Sequence, residues 1–147
     1  MSDKADLKQN LSDALSRAEQ GLINTEALPE YKRNYLAYDP KGNFEGFMDR
    51  GSSHLRIKKD VYKHCSFRNA NLIMDTVKEE SSFDLIFCRN VLIYFDNPAK
   101  VKVIEKFYQA LKPGGFFIVG FFDSVISLLD NKKFECFDLE NRIFRKV

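Results

Sequence analysis

The stretch Phe83-Asp-Leu-Ile-Phe-Cys-Arg-Asn-Val-Leu-Ile-Tyr-Phe-Asp96 constrains the fold more than any other part of the chain. Phe83 to Phe87 is a short apolar run with a single charge, the pattern of a buried strand, and Arg89 and Asn90 then supply a fork of donors and an amide at its carboxyl end. Open α/β sheets bind ligands at that end of their strands. Pro98 stands at a favoured first-turn position of a helix predicted to run to Leu111, with Val101, Ile104, Phe107, Tyr108 and Leu111 facing inward. Pro113-Gly114-Gly115 stops that helix, and a second apolar strand is predicted over Gly115 to Phe122. Two strands joined by one helix make a βαβ unit. A short helix over Val125 to Leu129 follows, and Lys133 to Asp138 and Arg142 to Val147 read as an antiparallel pair.

Upstream, Leu7, Leu11, Ala14, Leu15 and Ala18 recur at spacings of three and four, which predicts an amphipathic helix from Asp3 or Asp6 to Gln20, ended by Gly21. Pro29 opens a second short helix with Tyr31, Tyr35 and Leu36 on one side, and Asp39-Pro40-Lys-Gly-Asn43 is a turn. Residues Phe44 to Ser66 predict two or three short strands. Within them Leu55 to Cys65 partly alternates apolar and polar residues, as a half-exposed antiparallel strand does.

A chain of 147 residues is one domain by length and is long enough to bury a core. Its 14 Phe and 44% hydrophobic content are those of a globular protein. A net charge of +2 makes no case for a nucleic-acid or membrane surface. The basic stretches Arg56 to Lys63 and Arg142 to Lys146 read as solvated strand faces. Cys65, Cys88 and Cys136 are widely spaced and odd in number, which fits reduced thiols in the cytoplasm, and no apolar run approaches a membrane span. His54 and His64-Cys65 have no partner spacing for a metal.

The run FDLIFCRNVLIYFDNPAK, followed by ALKPGGFFIVG, closely resembles the C-terminal half of the chemotaxis-receptor methyltransferases, the CheR family, which use S-adenosylmethionine to methylate receptor glutamates. Phe67-Arg-Asn-Ala-Asn71-Leu72 is similar to that family's "F…NL" segment, and Leu15 to Gly21 to its "L..A..G" helix end. The resemblance spans roughly residues 11 to 147; its sharpest motif is CRNVLIYF, whereas the LKPGG turn is shared by many methyltransferases of this fold. It implies an α/β, class I (Rossmann-like) methyltransferase fold in truncated form, as a single partial domain over 1–147, with a small antiparallel β-subdomain inserted at about 42–66. It also implies that a glycine-rich cofactor loop and a helical subdomain precede this region. The sequence has no G-x-G-x-x-G, and neither Gly114-Gly115 nor Lys41-Gly42 substitutes for it, so the isolated chain is expected to be weak or inactive as an enzyme.

Carried over residue by residue, the resemblance places Asn71 and Leu72 beside the adenine, Arg89 and Asn90 at the junction of cofactor and substrate, and Tyr94 at the cleft mouth. Arg89 and Tyr94 are the candidate catalytic residues. A guanidinium fork matches the incoming glutamate carboxylate, and a tyrosine there orients the substrate or the methyl group. Asp6 is the candidate for the cofactor ribose. Plainer readings stand beside these: Asn71 as a cap, Arg89 paired with Asp96 or Asp84, Tyr94 as core with its hydroxyl at the surface, and Asp6 as helix N-terminal charge. Where the family carries a polar turn after its second strand, this chain has Gly120-Phe121-Phe122-Asp123-Ser124, an apolar edge that suits a covered surface. Two functional classes follow. One is a methyltransferase domain acting on a chemoreceptor-like protein substrate or signalling partner. The other is a non-catalytic interaction module or fragment, in which the edge of the Phe83 strand pairs with a second copy or with a complementing chain.

Overall fold

Asp96-Asn97-Pro98 starts the helix around which the second part of the chain is organised. The Asp96 carboxylate accepts the Ala99 N–H at 2.9 Å, and Pro98 occupies the first turn, where its missing N–H costs nothing. The computed structural model describes residues 2–50, 55–76 and 80–147, leaving aside the side chains of residues 2–8 and Arg50. The chain divides into two units, Met1–Asn69 and Ala70–Val147.

In the second unit, strand β3 (Phe83–Cys88) leads through a short turn into helix α4 (Asn97–Ala110), which runs directly into β4 (Leu111–Val119). Strands β5 (Phe134–Asp138) and β6 (Ile143–Lys146) follow, and the sheet order is β3-β4-β6-β5. Only β3 and β4 are parallel, with Leu85 opposite Phe116, Ile86 opposite Phe117 and Cys88 opposite Val119. The register slips between Phe83 and Leu85, so Lys112 to Gly115 bulge out of the ladder, with Gly114 at φ +77. A Cβ at Gly115 would sit 3.0 Å from the Lys112 carbonyl oxygen, which is why the second glycine of the pair stays bare. α4 covers one face. Phe107 packs on Phe117 at 5.5 Å between ring centroids and Tyr108 on Phe134 at 5.6 Å, around fully buried Leu92, Val103, Leu111 and Phe117.

Four sequence expectations change here. Val101 is 47% exposed, and the inward stripe of α4 is Lys100, Val103, Ile104, Phe107 and Tyr108; a lysine holds the position that an apolar pattern skips. β4 ends at Val119 rather than Phe122, because Asp123 folds the chain back on Gly120, and the predicted helix at 125–129 is a single 3-10 turn, Ile126–Leu128. β3 is not a buried strand. Among the described residues it is an edge with β4 as its one partner, and Phe83, Leu85 and Phe87, on the side away from α4, are exposed, Phe87 by 64%.

In the first unit, α1 (Ser2–Glu19) ends at Gly21, whose φ of +65 lets its N–H reach the Ala18 carbonyl and that of Leu22 the Arg17 carbonyl. A Cβ there would lie 2.7 Å from the Tyr62 ring. On the stripe read as apolar, Leu11 and Ala14 are exposed and Leu15 and Ala18 half-buried. α2 (Leu28–Tyr38) packs Tyr35 on Phe44 and Phe47 at 5.7 and 5.5 Å, while Tyr31, expected on the same side, is exposed. A two-stranded antiparallel sheet follows, β1 (Met48–Arg50) with β2 (Leu55–Ile57), and residues 21–23 bond along β2. The strand predicted to Cys65 stops at Ile57. Met48 is its last partner, and Lys59–Tyr62 turns into the short helix α3.

Candidate functional site

The carboxyl ends of β3 and β4 lie side by side, and what joins them is a single carboxylate. Asp123, fully buried, accepts the Gly120 N–H at 2.6 Å and the Asn90 N–H at 2.9 Å on one oxygen, and the Ile93 N–H at 3.2 Å on the other. Asn90 takes the left-handed region at φ +58, a conformation that asparagine tolerates better than most residues. Gly120 is glycine for want of space: a Cβ would lie 2.5 Å from Asn90 Oδ1 and 2.7 Å from the Asn90 backbone nitrogen. Lys100, buried on α4, reaches into the same knot and donates to the Asp123 carbonyl at 3.1 Å. Burial above all, with the Asp123 charge added, pushes the neighbouring Cys88 thiol up to about 11, so it is protonated at neutral pH.

From this knot the turn Leu92–Tyr94 projects outward. Leu92 is buried beneath it, while Tyr94 is 80% exposed, so its ring is not core. Arg89 is exposed and makes no hydrogen bond or ion pair with other described residues. The pairings that would have occupied it are absent among those residues, because Asp84 holds Lys112 at 2.8 Å and Asp96 caps α4. Phe121 and Phe122 follow at the end of β4 and are 65% and 72% exposed in the chain by itself. Phe121 carries the Arg142 guanidinium over its ring at 5.0 Å, and Arg142 Nε is buried without a hydrogen-bond partner among the described residues.

Asn71 and Leu72 are held elsewhere. Asn71 Oδ1 caps its own turn, accepting the Ile73 and Met74 N–H groups at 3.0 Å each. Lys106 binds the carbonyls of Leu72 at 2.9 Å and Ile73 at 2.8 Å, and Leu72 is half-buried against the core. At 1.5 Å per residue, Lys106 lies roughly 13 Å along α4 from its start. The structure thus brings Arg89, Asn90 and the Tyr94 turn together and anchors Asn71 and Leu72 to the second half of α4. Asp6 lies in α1, where its side chain falls outside the described residues. His54 also falls outside them, and among the described residues no three metal-binding side chains cluster.

Sequence reading missed Lys100, Lys106, Asp123 and Arg142. A charged residue three and four positions before Val103 and Ile104, and an aspartate three after Gly120, were the available signals for two of them. As a donor set, the edge fits part of S-adenosylmethionine: open aromatic faces, an amide and an unpaired guanidinium, with Arg142 Nε still lacking an acceptor.

No helix among the described residues is long and apolar enough to cross a membrane. Residues 10–143 match the family model described as the CheR methyltransferase, SAM binding domain. The chain is 42% identical over 89 residues to a chemotaxis protein methyltransferase of Vibrio parahaemolyticus, a match covering 60% of this chain and 31% of the relative. It is 29% identical over 133 residues to a Pseudomonas putida protein bearing the name methyltransferase Cher3, covering 90% of this chain and 48% of that one. A Pseudomonas aeruginosa relative named for biofilm formation, methyltransferase WspC, is 33% identical over 104 residues. The chain therefore spans 31% to 48% of the length of the first two of these relatives. With residues 10–143, nearly its whole length, matched by that model, it belongs to the CheR methyltransferase family, within the S-adenosylmethionine-binding domain.

Proposed function

We infer that this chain forms the adenine-side and substrate-side half of a methyl-transfer site, acting on glutamate carboxylates of a chemoreceptor-like protein in the cytoplasm. The observation that carries this reading is the unpaired Arg89 beside Asn90 at the joined ends of β3 and β4, in a chain of this family. S-adenosylmethionine supplies an electrophilic methyl group. The acceptor carboxylate is already ionised near neutral pH, so the protein's own task is to position it. Arg89 pairs with that carboxylate through its planar fork, Tyr94 orients it at the cleft mouth, and Asn90 fixes the cofactor side. Asn71 keeps its amide donors for the adenine edge while its oxygen caps the turn, and Leu72 packs beneath; Asp6 is the candidate for the ribose hydroxyls.

Titration of the chain with S-adenosylhomocysteine by calorimetry tests this. Micromolar binding that Arg89→Ala abolishes is the expected result; no binding up to millimolar ligand overturns it for the chain on its own.

The exposed edge of β3 favours a second reading. Parallel sheets are ordinarily covered on both faces, yet Phe83, Leu85 and Phe87 lie open, and the unpaired side of β3 can take a further strand. In this reading a further strand, from a second copy or a complementing chain, pairs along β3 and completes the cofactor site. Sedimentation that stays monomeric across a wide concentration range, and no change on adding the preceding half of a family member, counts against it.

A further inference from the structure

We propose that Asp123 is a positioning residue for this site, holding the Asn90–Tyr94 turn in the geometry that meets the cofactor; only the identity of the ligand rests on the methyl-transfer reading. The turn's own bonds are local, Tyr94 N–H to the Val91 carbonyl at 3.3 Å and Phe95 N–H to the Leu92 carbonyl at 3.1 Å. Leu92 packs the turn into the core, and the hydrogen bonds that tie it to the rest of the fold come from the Asn90 and Ile93 N–H groups, both ending on the Asp123 carboxylate, 33 and 30 residues away in sequence. The third donor, Gly120 N–H, belongs to the end of β4. Beyond the last ladder pair, Cys88 with Val119, one side chain therefore links the two strand ends and orients the turn from which Tyr94 leaves them.

The chemistry explains why the residue is an acid. Three N–H donors converge on a group with no access to water, and an ionised carboxylate is acceptor-only, with lone pairs enough for all three. An amide of the same shape cannot replace it. With its oxygen toward Ile93, its NH2 faces the Asn90 and Gly120 donors; flipped, its NH2 faces Ile93. Burying a carboxylate is costly without compensation, and here the compensation is the three N–H groups and the Lys100 ammonium on the Asp123 carbonyl. Lys100 is thus part of the same device, approaching from α4. Cys88, also close, is a neutral thiol and adds no charge.

The test compares the chain with Asp123→Asn and with Val103→Ala, a fully buried α4 position that takes no part in the turn's hydrogen bonds and lowers stability. Affinity for S-adenosylhomocysteine is measured by calorimetry, and amide hydrogen exchange is followed by NMR without ligand. In Asp123→Asn, affinity is expected to fall by about tenfold or more, the worth of a charge-assisted hydrogen bond, while Val103→Ala keeps its affinity. Exchange should quicken at Asn90, Ile93 and Gly120 while Phe117 and Phe144 stay protected. Unchanged affinity and unchanged exchange in Asp123→Asn overturn the proposal. If the unaltered chain does not bind the ligand, the methyl-transfer reading fails, and the exchange comparison alone decides whether Asp123 holds the turn. If Asp123→Asn does not fold, scalar coupling across the hydrogen bonds from the Asn90 and Gly120 nitrogens to the Asp123 carboxyl carbon decides the matter in the unaltered chain: its presence supports the proposal and its absence overturns it.

Discussion

Gly120 leaves no room for a methyl group, since Asn90 and Asp123 already occupy the space on its side-chain face. Gly120→Ala is expected to destabilise the chain by about 1–3 kcal/mol, the usual range for forcing an atom into a packed site, as read from urea unfolding. Cys88 offers a pH test. Its thiol is raised from the usual 9.0 to about 11, so the folded chain keeps a proton that the unfolded chain gives up. Stability is therefore unaffected by this group below about pH 9 and falls as pH rises from 9 through 11; Cys88→Ser should flatten that decline in unfolding midpoints measured against pH. The same burial predicts that a thiol reagent at neutral pH modifies exposed Cys65 and Cys136 quickly and Cys88 only on unfolding. Neither the Asp123 knot nor the thiol shift was legible in the sequence, because the knot's Asn90 and Ile93 donors lie 33 and 30 residues from Asp123 and the thiol shift comes mainly from burial.

At the scale of elements the sequence was more legible. β3, α4 and the closing antiparallel pair stand close to where apolar runs, Pro98 and the Pro-Gly-Gly stop put them, because those signals are local and agree with one another. α4 was placed correctly but rotated on its axis, since the pattern assigned Val101 inward and passed over Lys100. A buried lysine is visible only once its acceptor, the Asp123 carbonyl, is known. Lys100→Met keeps the stem that packs and removes the ammonium, and is expected to weaken S-adenosylhomocysteine binding less than Asp123→Asn does, measured side by side by calorimetry. Asp96→Ala removes the α4 cap and should cost about 1 kcal/mol in urea unfolding. The strand read over Leu55 to Cys65 failed for a reason of pairing: alternation marks a strand only where a neighbour exists, and β1 is just 3 residues long.

For the whole molecule, family membership came from one motif and its followers, whereas the open edge of β3 follows from the topology. The run Phe83 to Phe87 has the composition of a buried strand, and nothing in those residues says that one side faces water. If that edge pairs with another chain, Phe87→Lys should abolish concentration-dependent association in sedimentation, since a charge on an apolar edge opposes strand addition. The open edge also bears on how the chain behaves as a colloid. With a net charge of only +2, copies repel one another weakly at long range, and adding salt removes little that keeps them apart. If two β3 edges do pair, the shelf life of a concentrated preparation is governed by how often they collide, so dilution and a capping strand should prolong it where a change of ionic strength does not.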